Sequence, residues 1–260
     1  MSFFDSIMMS HPKQFFDDLF EKLKTCKKEY THIKLDIGLS YNAPFSQVWL
    51  EKEPDLVVVG FEPHPDSCRG LLSDAPIFKR QSDHGTPLNK KYLNDRFFLV
   101  PVALSNVESP CKMTFYKTNK DVGCSSLFRP VDSSLGAFIQ DESGVNVLSL
   151  KHFFDLFPFD RFDSIDYIKI DAQGSDLDIL KSAGSYLQDR VVYITAEPEC
   201  DAYGDAYDNC RKNSCHNIES YLHSQGFVRV HHPLTQDPTF FNLNPRFQHL
   251  KDQIFIYQTG

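Results

Sequence analysis

Near-continuous apolar runs of strand length recur along this chain, and four of them end in an acid. The stretch THIKLDIGLS at 31–40 closes on Asp36-Ile37-Gly38 with polar residues beyond. It reads as a buried strand that delivers an acid and a glycine to its carboxyl end, against the plainer reading of a strand closed by an ordinary turn. LVVVGF within 55–62 predicts a second buried strand, ending in Glu62 about 26 residues after Asp36. FFLVPVAL at 97–104 predicts a third, weakened at its centre by Pro101. In the second half, IDYIKI at 165–170 runs into Asp171, and VVYIT at 191–195 finishes at Ala196-Glu197.

Helical periodicity separates these runs. Phe15, Phe16, Leu19, Phe20 and Leu23 recur at helical spacing behind Ser10, which predicts an N-capped amphipathic helix to about Lys28. Its Phe face is expected in the core, the alternative being a second subunit in a homo-oligomer. Further helices are predicted at 43–52, at 66–74 with a cap near Asp66, at 176–183 capped by Asp176 and ended by Gly184, and at 217–225 closed by Gly226. Residues 76–96 read as a polar surface insertion. Residues 112–118 alternate as a two-faced strand, with a hairpin expected to extend to 123–128; short strands follow at 145–150, 227–230 and, last, QIFIYQ at 253–258. The order predicts an α/β protein: a mostly parallel sheet covered by helices on both faces, with a β-hairpin insertion and with Asp36, Glu62, Asp171 and Glu197 along one edge. The division expected is a helical extension over 1–30 and a single domain over 31–260.

Composition narrows the function. With 260 residues, 41% of them apolar, one substantial core can be buried. A formal charge of -8 argues against general affinity for nucleic acid or an anionic membrane. Seven cysteines scattered without paired spacing suit reduced thiols rather than a disulfide framework, and the opening residues lack the basic region and apolar core of a signal peptide. A soluble, cytoplasmic protein is the expectation.

The strand ends suggest the ligand. An acid at the end of the second strand can hold both hydroxyls of a ribose, a spacing that suits either NAD or S-adenosylmethionine. The stretch Gly38-Leu39-Ser40-Tyr41-Asn42-Ala43 lacks G-x-G-x-x-G, which argues against a pyrophosphate and favours a cofactor without phosphate. Gly123-Cys124-Ser125-Ser126 offers hydroxyl donors at a glycine turn, for a ligand carboxylate or merely for the turn itself.

Taken together, LDIG at 35–38, GFEP at 60–63, PVALS at 101–105, GCSS at 123–126, YIKIDAQG at 167–174 and the acid Glu197 resemble the FkbM family of S-adenosylmethionine-dependent methyltransferases. The resemblance spans about 34–197 and implies the class I methyltransferase fold, Rossmann-like, with seven strands of which the last is antiparallel, a place that 253–258 would fill. It implies that Asp36, Gly38 and Asn42 line the methionine end of the cofactor, that Glu62 holds the ribose, that Ala103 and Leu104 flank the adenine, that Ser125 and Ser126 face the site, and that Asp171 stands between cofactor and acceptor. The chain departs from the family's K-I-D-x-E-G by carrying Gln173 in place of the glutamate, and its glycine turn departs from G-A-N-x-G.

Methyl transfer to a hydroxyl needs alignment and a base. Asp171 is the first candidate and Glu197 the second, because neighbouring parallel strands lie about 4.8 Å apart. The same two carboxylates could instead hold Mg²⁺. The acceptor expected is a sugar, glycan or polyol-like metabolite, with residues 198–215, carrying Tyr203 and Tyr207, as an acceptor loop. The rivals are an NAD-dependent oxidoreductase and a cofactor-binding protein whose catalysis has lapsed, the latter motivated by Gln173.

Overall fold

The computed structural model describes residues 12–73, 85–118, 122–131, 139–198, 206–208, 210–232 and 235–251. The predicted strand at 253–258 and the loop residue Tyr203 lie outside these.

Five of the predicted apolar runs form parallel strands. They are β1 (His32–Ile37), β2 (Leu56–Phe61), β3 (Phe97–Val100), β7 (Ile165–Ile170) and β8 (Val191–Ala196). With β9 (Phe227–Val230) and β10 (Thr239–Asn242) they make a seven-stranded sheet in the order β3-β2-β1-β7-β8-β10-β9. β10 runs antiparallel to both β8 and β9. Among the described residues the antiparallel strand is thus 239–242, a segment that TFFN was too short to announce; the expected strand at 253–258 lies outside them.

Pro101 does more than weaken the third strand. Without an N–H to continue the ladder, the run breaks into β3 and a separate β4 (Ala103–Leu104), which leaves for a second sheet ordered β4-β6-β5. There β5 (Cys111–Thr118) pairs antiparallel with β6 (Ile139–Leu148), while β4 pairs parallel with β6. The hairpin partner of β5 is therefore β6, and residues 123–128 contribute only the single bridge between Tyr116 and Ser126.

The period of two sorts β1, β2 and β7 between two cores. Ile33, Leu35, Ile37, Val57, Val59, Ile168 and Ile170 pack on one face, together with Phe16, Leu19, Phe20 and Leu23 of α1 (Pro12–Thr25). The Phe stripe is therefore core: Phe20 stands 5.3 Å from Phe153 of α4 (Leu150–Leu156), ring centre to ring centre. Leu56, Val58 and Tyr167 pack on the other face with Trp49 and Leu50 of α2 (Pro44–Lys52). Lys34, Asp36 and Lys169 share that second face. α3 (Pro65–Leu72), α5 (Asp176–Ser182), α6 (Tyr186–Arg190) and α7 (Cys215–Ser224) complete the helices of the described residues. The caps differ from expectation. His64, not Asp66, caps α3 through its imidazole, and Asp176 is the first residue of α5, not its cap.

Candidate functional site

Strand register sets the site. Ile37 lies opposite Phe61 of β2 and Ile170 of β7, and Ile170 lies opposite Ala196 of β8. The next peptide groups continue the ladders: the Gly38 N–H donates to Phe61 O at 3.0 Å, Asp171 to Ile37 O at 2.9 Å and Glu197 to Ile170 O at 3.1 Å. The ends of β1, β2, β7 and β8 are thereby level. The chain reverses its strand order between β1 and β7, so their carboxyl ends open a crevice of the kind where open α/β sheets bind ligands.

A cavity of about 500 Å³ fills that crevice. All of the predicted site residues except Ser126 line it. Asp36, Gly38 and Asn42 come from β1 and the turn after it, Glu62 from the end of β2, and Asp171 and Glu197 from the far side. Ala103 and Leu104 reach it because Pro101 diverts the chain into the second sheet. Ser125 lines the wall, with its hydroxyl accepting from the Thr118 N–H at 3.1 Å. Ser126 is buried behind it and ties the turn instead, donating to Gln173 O at 2.6 Å and accepting from Phe128 N–H at 2.9 Å.

Two lining carboxyls are buried with capacity to spare. Asp36 accepts from Ser46 Oγ at 2.6 Å through Oδ2, while Oδ1 has no hydrogen-bond partner among the described residues. Burial pushes its carboxyl up, opposed by the Lys169 charge. Glu62 accepts from the His64 N–H at 2.7 Å, and the Ser40 backbone also bonds it. Burial nevertheless raises Glu62 to about 8. A buried carboxyl with an unused acceptor gains from a donor or cation brought by a ligand.

The far side carries a denser network. Lys169 Nζ donates to Asp171 Oδ2 at 2.9 Å and lies 4.6 Å from the centre of the Phe45 ring. Burial disfavours the ammonium, but Asp171 and Asp36 together outweigh it and hold Lys169 charged. Burial likewise disfavours ionised Asp171; the Lys169 charge and hydrogen bonds from Glu197, Lys169 and Gln173 overcome it and hold the carboxyl well below its ordinary range. Glu197 goes the other way, to about 10, chiefly because it hydrogen-bonds Asp171, with burial and the Asp171 charge adding to that. The two carboxyls are coupled and titrate as a pair, with Asp171 pushed toward its ionised form and Glu197 toward its protonated form.

Gln173 sits at the centre of this network. Its Nε2 donates to Asp171 Oδ1 at 2.8 Å and to Glu197 Oε2 at 3.0 Å, and its Oε1 accepts from the Tyr207 hydroxyl at 2.6 Å. Its backbone is left-handed, with φ +50°, in a residue with a side chain. Tyr207, expected as a platform for an acceptor, is fully buried and hydrogen-bonded inward. Sequence reasoning missed Lys169 and Ser46, although a lysine within the fully buried run IDYIKI, two residues before an acid, was a readable signal.

Among the described residues, no group of three or more His, Cys, Asp or Glu could hold a metal ion, and no helix is long and apolar enough to cross a membrane. Among the described residues, Cys26, Cys68, Cys111, Cys124 and Cys215 are in no disulfide.

The mostly parallel seven-stranded sheet with one antiparallel strand, carrying acidic residues level at its switch point, is consistent with a Rossmann-like methyltransferase fold. The model of the methyltransferase FkbM domain matches residues 41–229, and the chain belongs to that family. No curated protein and no solved structure matches it.

Proposed function

We propose that the chain transfers a methyl group from S-adenosylmethionine to a hydroxyl of a sugar, glycan or similar polyol. The observation that carries this reading is the acidic lining of the crevice: the carboxyl groups of Asp36, Glu62, Asp171 and Glu197 line it, where a bound cation would favour their ionised forms, and Lys169, paired with Asp171, is the one basic side chain among the described lining residues. Such a wall suits a ligand bearing an ammonium and a sulfonium, and opposes the pyrophosphate of NAD.

The residues present fit that cofactor. The unused Oδ1 of Asp36 would accept from the ammonium, and Glu62, level with it at the end of β2, would accept from the ribose hydroxyls. Ala103 and Leu104 give a small apolar surface for the adenine. The bound cofactor supplies a methyl group made electrophilic by positive sulfur.

Asp171 is the base in this reading. As the new O–C bond forms, the attacking hydroxyl becomes strongly acidic, so a carboxylate held ionised by Lys169 is basic enough to take its proton. Glu197, hydrogen-bonded to Asp171, and Gln173, donating to both, would hold that carboxylate in place at the cavity edge.

The test is transfer of isotopically labelled methyl from S-adenosylmethionine to a panel of monosaccharides and polyols, run with Mg²⁺ and with a chelator. Labelled product that is lost in Asp171→Asn supports the reading. Binding of S-adenosylhomocysteine without transfer to any hydroxyl would instead favour a protein whose catalysis has lapsed.

A further inference from the structure

Gln173 is held more tightly than a wall residue needs to be. Its backbone occupies a left-handed conformation that costs a residue with a side chain about 1 kcal/mol or more, and the Ser126 hydroxyl fixes the carbonyl of that same peptide. Both ends of its amide are engaged. Oε1 faces a phenol and Nε2 faces two carboxyls, one from the end of β7 and one from the end of β8.

The direction of the amide is the point. A primary amide can turn over, and turned over it would aim Oε1 at the Asp171 carboxylate, an acceptor against an acceptor. What selects the observed orientation is the Tyr207 hydroxyl. Tyr207 is fully buried, and its hydroxyl bonds Gln173 Oε1 at 2.6 Å and Cys124 O at 3.0 Å among the described residues. A phenol has one hydrogen, and the shorter contact is to Gln173. With that hydrogen on Gln173 Oε1, the amide presents its oxygen to Tyr207 and its N–H groups to the carboxyls.

We propose that Tyr207 and Gln173 are positioning residues: the phenol sets the amide, and the amide spans Asp171 and Glu197 and holds them together at the cavity edge. This rests on the proposed role of that pair. A carboxylate at 173 would set a third acceptor beside two, whereas the amide supplies donors to both. The segment 206–208 is anchored to the same point, since Val131 N–H donates to Ala206 O at 2.9 Å and Asp208 N–H to Arg129 O at 2.8 Å. The stretch expected to select the acceptor thus contributes a strut to the catalytic edge.

The test reads the carboxyl pair directly and needs no acceptor. Infrared spectra of the parent identify the stretch of the protonated carboxyl as the band that Glu197→Gln removes. In Gln173→Met, which keeps the length but offers no donor, that band should move to higher frequency as its hydrogen bond is lost. In Tyr207→Phe, which removes one hydroxyl, it should move the same way by less. Calorimetry with S-adenosylhomocysteine on Tyr207→Phe, a position that does not line the cavity, should give the parent's affinity. A band at the parent position in both variants, or no band removed by Glu197→Gln, overturns the proposal, and if Tyr207→Phe does not fold, Gln173→Met decides it alone. Absence of S-adenosylhomocysteine binding by the parent would overturn the cofactor reading instead, so the two failures are told apart.

Discussion

Gly38 and Asp171 are in backbone contact at the centre of the crevice: a Cβ built on Gly38 would stand 1.8 Å from the carbonyl oxygen of Asp171. Gly38 also has φ +84°. The glycine that ends β1 is thus required by the approach of β7 as well as by its own turn. Gly38→Ala should force the two strand ends apart and destabilise the fold by more than about 4 kcal/mol, read as a fall in the urea midpoint. A midpoint equal to the parent's would show that the strand ends are not pinned there.

Lys34 and Glu53 form an ion pair at 2.6 Å beneath α2, both buried, with the ammonium 5.2 Å from the centre of the Trp49 ring. Burial acts against both charges, pushing Lys34 down and Glu53 up. Such a pair contributes little net stability while its half is costly. Glu53→Gln should destabilise by about 3–5 kcal/mol and the double variant Lys34→Met, Glu53→Leu by much less. Equal losses in denaturant unfolding would mean that the pair itself stabilises the fold.

Glu62 gives a pH signature. Its carboxyl, raised to about 8 by burial, is protonated at neutral pH in the free protein. A ribose diol and a cationic cofactor both favour the carboxylate, so binding should expel a proton. The sign follows. Below about pH 8 affinity rises with pH and protons are released; above it both trends flatten. Calorimetry of S-adenosylhomocysteine in buffers of different ionisation enthalpy measures this, and pH-independent affinity from pH 6 to 8 in the parent contradicts it.

Removing the same carboxyl should also weaken the complex. Glu62→Ala deletes charge-assisted hydrogen bonds and should cost about 2–3 kcal/mol of cofactor affinity. A folded variant with the parent's affinity would take Glu62 out of the site.

What the sequence revealed was whatever depends on strand period and strand ends. Buried strands carry their polar exceptions visibly, so Asp36, Glu62, Asp171 and Glu197 stood out as acids closing apolar runs, and parallel ladders then brought them level. The break at Pro101 was visible as a weakness, but nothing local showed that the chain would join a second sheet there. β10 is four residues long and gains its stability from β8 and β9, partners that no local window contains. Tyr207 was misjudged for a related reason: a tyrosine in a polar loop looks exposed, and only the meeting of 206–208 with 128–131 buries it. Gln173 was noticed as a lost charge, and its gain, two donors aimed at two carboxyls, depended on a phenol 34 residues away.

A crevice edged with carboxyl groups should receive a cationic, phosphate-free cofactor. The most direct measurement of this is calorimetric titration of the parent with S-adenosylmethionine and, separately, with NAD under the same conditions. The account predicts saturable binding of S-adenosylmethionine and no binding of NAD. Binding of NAD, or no heat of binding with S-adenosylmethionine, would contradict it.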